Sequence, residues 1–140
     1  MSKYCNRKFL SEYIKLDRAI SQMLGISFGG ISEYITRLGA GPLREREKEL
    51  ISRLVRYRGY RNKLAHEVGA LEGLSSITKE DVRWVRSFTS LVKKKRDSLS
   101  VFKRKEERKN AFRSFKRIAL SFFGISLIVL LVYAFICFFK

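Results

Sequence analysis

His66 is the only histidine of the chain, and it closes the run Arg58-Gly59-Tyr60-Arg61-Asn62-Lys63-Leu64-Ala65-His66-Glu67. An adjacent Arg61-Asn62 pair is thus followed, after three residues, by a histidine. Arginine and histidine are the two side chains needed to cut RNA without a metal. A guanidinium grips phosphate oxygens through a planar fork of donors, and an imidazole takes or gives a proton near neutral pH. Arg61 and His66 are therefore candidate catalytic residues, with Asn62 beside Arg61. The carboxylates nearby, Glu67 and Glu72, are too few and too isolated to hold Mg²⁺. No metal site and no cofactor is expected, and neither cysteine, Cys5 or Cys137, has metal-ligand spacing.

The residues must be placed by a helix. At 100° per residue, Leu50, Leu54, Tyr57, Leu64 and Val68 fall within about 60° of one line, and Arg61 sits in the middle of that apolar stripe. A charge there costs several kcal/mol if it is desolvated without a partner, so such a position usually has a compensating use. The use is either a phosphate or a carboxylate within the bundle. Asn62 and His66 are four apart, on a neighbouring face with Ile51 and Val55. The step from Arg61 to His66 is about 140°, too far for both to point one way. A long arginine could reach round, but a cleft between two subunits closes the gap more naturally. The blander alternative is that Asn62 and His66 only cap the end of the helix.

The stretch from Leu54-Val55-Arg56-Tyr57 through RNKLAHE, then Ile77-Thr78-Lys79-Glu80-Asp81-Val82-Arg83-Trp84-Val85, resembles the small HEPN-domain proteins of bacteria. Their hallmark is an Arg, usually followed by a polar residue such as Asn, with a His four to six residues beyond the Arg. The resemblance is carried by residues 49–99, is vaguer over the first 40 residues and is absent from the tail. It implies a HEPN-like four-helix up-and-down bundle in which two protomers join their motifs in one cleft. It also implies a metal-independent endoribonuclease: His66 deprotonates a ribose 2′-OH, Arg61 stabilises charge on the phosphoryl oxygens, and Asn62 orients the groups. Defence or toxin systems are the implied setting, with RNA, an antitoxin or a CRISPR effector as partners.

Charge is consistent with a polyanionic partner. The chain carries a net +17, and all but one of its 30 basic residues precede position 118. RNA, DNA and anionic lipid headgroups all fit that excess. Residues 118–139 contain no charge, and as a helix they would extend about 33 Å, enough for a hydrocarbon core of about 30 Å. The expectation is a single transmembrane tail anchor. Lys103, Arg104, Lys105, Arg108, Lys109, Arg113, Lys116 and Arg117 precede it and only Lys140 follows, which would place the N-terminal domain in the cytoplasm. Certain CRISPR-associated accessory proteins similarly join a HEPN-like motif to a membrane helix. They suggest two alternatives to the nuclease: an oligomeric membrane effector that alters permeability, and a non-catalytic membrane adaptor.

The fold class expected is all-α. The bundle should occupy 1–98, a basic juxtamembrane helix 99–117, and the membrane tail 118–139. Helical spacing of Phe9, Leu10, Tyr13, Ile14, Asp17, Ile20, Met23 and Leu24 predicts a first helix from Asn6, as N-cap, to Leu24. A second spans Ile31–Leu38 and ends at Gly39-Ala40-Gly41-Pro42. The motif helix runs from Leu43 to Val68, with Pro42 in its first turn and Gly59 as a weak point. Thr78 caps a fourth, whose inner face is Val82, Val85, Phe88, Leu91 and Val92, with Trp84 flanking it as core. Asp97-Ser98 breaks the chain before the basic segment.

Overall fold

The computed structural model describes residues 2–67, 69–70 and 76–138, and among these it is all-α, with no strand. The helices described are, in order, α1 (Ser2–Leu24), α2 (Gly30–Gly39), α3 (Glu45–His66), α4 (Lys79–Lys93) and α5 (Ser98–Phe138). The chain divides into two compact units, Met1–Val101 and Phe102–Lys140. The first unit is a helical bundle in which α1 packs against α4, α2 and α3.

The bundle core joins Phe9, Leu16 and Ile20 of α1 to Ile31 and Tyr34 of α2, Leu54 and Tyr57 of α3, and Val85 and Val92 of α4. Aromatic edges organise it. Phe9 meets Tyr57 at 5.3 Å and Tyr60 at 6.0 Å, both T-shaped, while Trp84 stacks on Phe88 at 5.0 Å. Such edge and offset pairs add to simple burial because ring faces are negative and ring edges positive.

Asp17, the polar interruption in the α1 stripe, has a structural task. Its Oδ1 accepts the backbone N–H of Ile31 at 2.8 Å, so α1 caps the first turn of α2. Gly30 permits that approach, since a Cβ there would run into the Asp17 carbonyl and Ser21. Asn6 proves to be fully buried within α1, which starts four residues earlier, and its amide donates to the Ala70 carbonyl at 3.5 Å. The motif helix starts at Glu45, where the Glu47 carboxylate accepts the Arg44 N–H at 2.9 Å, so Pro42 precedes the helix. It ends at His66 because Glu67 turns to extended backbone; Val68 lies outside the described residues. Thr78 caps α4 in a reciprocal box with Asp81. At the other end, Lys95 adopts φ 53° and the Arg96 N–H bonds the Leu91 carbonyl, closing the helix with a left-handed turn.

The expected transmembrane tail is corrected. Among the described residues no helix is long and apolar enough to cross a membrane. This removes the tail anchor and the single-pass membrane placement. A span needs about 20 consecutive apolar side chains. Residues 118–138 continue α5, a helix that begins at Ser98 and carries an exposed, charge-dense stretch from Lys103 to Lys116. Residue 139 lies outside the described residues. Without a span, the charge asymmetry around Lys103–Arg117 has nothing to orient.

Candidate functional site

The C-terminal half of α3 carries the three candidate residues. Leu54, Tyr57 and Leu64 of its stripe are buried, and Arg61 between them is half-buried. Arg61 has no carboxylate partner among the described residues. Its Nη1 donates instead to Oδ1 of the adjacent Asn62 at 3.3 Å. The bond leaves the guanidinium's formal charge uncompensated, because an amide oxygen offers only a dipole. The blander reading, an arginine consumed by a bundle carboxylate, is therefore set aside.

Arg61 turns toward α1. Burial pushes the Tyr13 hydroxyl up to about 12, and Asp17 adds to the rise, while Arg61 and then Arg58 oppose it. Tyr13 thus senses both cations, which sit one helical turn apart on the same flank. Arg58 is likewise held only by a neutral group, donating to the Ser32 hydroxyl at 3.3 Å. Neither guanidinium is ion-paired among the described residues, although the Asp17 carboxylate also acts on Tyr13 from the same side of the bundle.

His66 occupies the last position of α3 and is exposed. It forms no hydrogen bond among the described residues, so it does not serve as a helix cap. The C-terminal Glu67 N–H is taken by the Lys63 carbonyl. The fold does not bring His66 against Arg61 on a single face. Val55, Gly59, Asn62 and His66 are all exposed and recur at helical spacing, giving α3 one uncharged outward strip. A Cβ on Gly59 would meet nothing within 4 Å, so the strip is flat and open there.

Other polar groups are committed to structure. The Tyr57 hydroxyl donates to Asp81 at 2.7 Å, and Arg56 stands 3.8 Å from the same carboxylate. Burial pushes Asp81 upward, but bonds from Thr78 and Tyr57 and the charge of Arg56 outweigh it and hold it below the usual carboxylate range. Glu12, on α1, bridges to Lys15 at 3.2 Å and to Arg86 of α4 at 3.3 Å. Asp97, which the sequence marks only as a break, is a buried cap of α5. It accepts from the Ser100 N–H at 3.1 Å and from the Tyr34 hydroxyl at 3.0 Å.

Sequence reasoning missed one feature entirely. Arg46, Arg53 and Arg96 converge around a cavity of about 200 Å³ floored by Trp84 and Phe88. The signal was present in Arg46, Leu50 and Arg53 at helical spacing, but nothing in the sequence says that Arg96 joins them. Among the described residues no group of three or more His, Cys, Asp or Glu is gathered closely enough to hold a metal.

A family model, DUF6548, a family of unknown function, matches residues 7–120 of the chain. No curated protein and no solved structure matches it.

Proposed function

The chain belongs to DUF6548, and within that family of unknown function we propose that it is a metal-independent endoribonuclease of HEPN type, acting as a homo-oligomer. The observation that carries the reading is the state of Arg61. A half-buried guanidinium is aligned by Asn62 and neutralised by no described carboxylate. A phosphate is the complementary group, and a forked donor suits its geometry. His66, exposed and unbonded, is free to act as base toward a ribose 2′-OH.

The chemistry is transesterification within RNA. His66 removes the 2′-OH proton, the 2′-oxygen attacks the adjacent phosphorus, and the bond to the 5′-oxygen of the next nucleotide breaks. That oxygen takes a proton and leaves as a 5′-OH, while the other product ends in a 2′,3′-cyclic phosphate. Arg61 stabilises the charge gathering on the non-bridging oxygens. The 140° offset between Arg61 and His66 is bridged when the outward strip Val55–Gly59–Asn62–His66 of one protomer lies against its copy. A self-complementary surface of this sort is what two-fold pairing requires.

Purified full-length protein incubated with single-stranded RNA in EDTA tests the reading. Fragments bearing cyclic-phosphate ends are expected, and their loss in both Arg61→Ala and His66→Ala. Intact RNA with folded wild-type protein would contradict it.

A further inference from the structure

The three-arginine cavity lies in the first unit, between the opening half of α3, the last turns of α4 and the start of α5. It uses neither Arg61 nor His66. Its apolar lining comes from Leu50, Trp84, Phe88 and Leu91, and its polar lining sets three guanidiniums against the Glu49 and Asp97 carboxylates and Ser98. Arg53 lies over the Trp84 ring at 5.2 Å and reaches Glu49 only at 3.5 Å. Arg46 and Arg96 are exposed and have no carboxylate partner among the described residues. The one buried acid in the wall, Asp97, accepts from Tyr34 and Ser100 through one oxygen and forms no ion pair with the three arginines among the described residues.

The size selects among anions. Pockets for drug-sized ligands span about 300–1,000 Å³, so a cavity of about 200 Å³ admits a single ring system with the remainder of the ligand outside. Trp84 is stacked on Phe88 and overlain by Arg53, so the apolar lining meets a ring at its edges, while the arginines take phosphates. Arg53 already lies over the Trp84 ring at 5.2 Å, the distance of a cation–π contact. A duplex cannot deliver a base into such a recess, whereas a single strand can splay one out.

We propose that this cavity binds one unpaired nucleotide of single-stranded RNA, its base against Leu50, Trp84 and Phe88 and its flanking phosphates on Arg46, Arg53 and Arg96. The choice of polymer rests on the RNA reading above, whereas the site itself is independent of cleavage. The cavity then holds the strand while the opposite end of α3 acts on it.

Trp84 is the only tryptophan of the chain, so its fluorescence reports this site alone. The full-length protein would be titrated in EDTA with a 2′-O-methylated single-stranded hexanucleotide, which lacks the attacking hydroxyl and cannot be cleaved. Saturable quenching is expected, with a midpoint shifted by about tenfold or more in the double variant Arg46→Ala/Arg96→Ala. Leu91→Glu, placing a carboxylate at an exposed position of the lining, should act in the same direction. Both leave the core intact. A control double variant, Lys103→Ala/Lys105→Ala, should shift the midpoint far less. A blunt duplex should not quench. The proposal is overturned if quenching is absent while the oligonucleotide binds by anisotropy. It is equally overturned if the control shifts the midpoint as much as the pocket variants, or if an acidic peptide quenches at the same concentration. Separate assay of ordinary RNA distinguishes the two readings: quenching without fragments sinks the nuclease alone, and fragments without quenching sink the cavity alone.

Discussion

The two ends of α3 treat arginine differently. Near its start, Arg53 is fixed by an aromatic face and a weak ion pair, over a walled cavity. Near its end, Arg58 and Arg61 are held only by a hydroxyl and an amide, on an open flank. The first arrangement gives shape and the second leaves charge unspent. A concave aromatic recess discriminates among ligands, whereas an uncompensated guanidinium attracts and stabilises phosphate. In the proposed reading, the same residue type serves recognition at one end and chemistry at the other.

The largest expected effect lies at the open end. His66→Ala should lower the cleavage rate by roughly 10²–10⁴, the usual worth of general acid–base help, and should leave the melting temperature nearly unchanged because His66 is exposed. A quantitative cleavage assay and a thermal melt on the same sample check both halves. Should the melting temperature fall with the rate, His66 would be structural and the contrast between the two ends would dissolve.

Tyr57→Phe should do the opposite. It removes one bond of 2.7 Å from the Asp81 carboxylate, which keeps Thr78 and Arg56, and should cost about 0.5–1.5 kcal/mol in a denaturant titration. Cleavage by the remaining folded protein should be unaffected. Acid sensitivity should come from the same structural carboxylates. Asp81 and Glu12 are both held below their ordinary values in the fold. A depressed folded-state value contributes stability above the unfolded value, and that contribution is lost as pH falls through the folded one. Melts should therefore be flat through the neutral range and drop below the ordinary carboxylate range. The drop should shrink in Asp81→Asn.

The smallest effect belongs to the turn that carries Arg96 to the cavity. Lys95 sits at φ 53°, where glycine is at ease and other residues pay about 1–2 kcal/mol. Lys95→Gly should therefore stabilise the bundle modestly, by roughly 0.5–1 kcal/mol, in the same titration. Unchanged Trp84 quenching in that variant would show that the turn's geometry, and not the lysine, positions Arg96.

How much of this was legible in the sequence varies with the range of the interaction. Thr78 as cap of α4 and the buried stripe of α3 follow from local spacing, and the structure has both. Asn6 was read as a cap because the residues around it suit one, yet burial by a distant segment overrode local preference and α1 extends past it. Asp17 and Asp97 look like a flaw in a stripe and a break between helices. Their work is across the bundle, with Ile31 and Tyr34, and only tertiary placement reveals it. The cavity has the same origin, since Arg46 and Arg96 are fifty residues apart. The apolar run at 118–139 suggests a span by length and charge alone, yet among the described residues no helix is long and apolar enough to cross a membrane.

The central claim is that Arg61 of one protomer and His66 of its copy serve a single phosphate. Mixing two inactive proteins tests it directly. Arg61→Ala and His66→Ala would be purified separately, allowed to exchange subunits, and assayed on single-stranded RNA in EDTA. In a two-fold dimer with shared sites, half of the exchanged dimers are mixed and each regains one intact site of two. The mixture should then recover about a quarter of the wild-type rate. A mixture as inactive as its components would contradict the shared site.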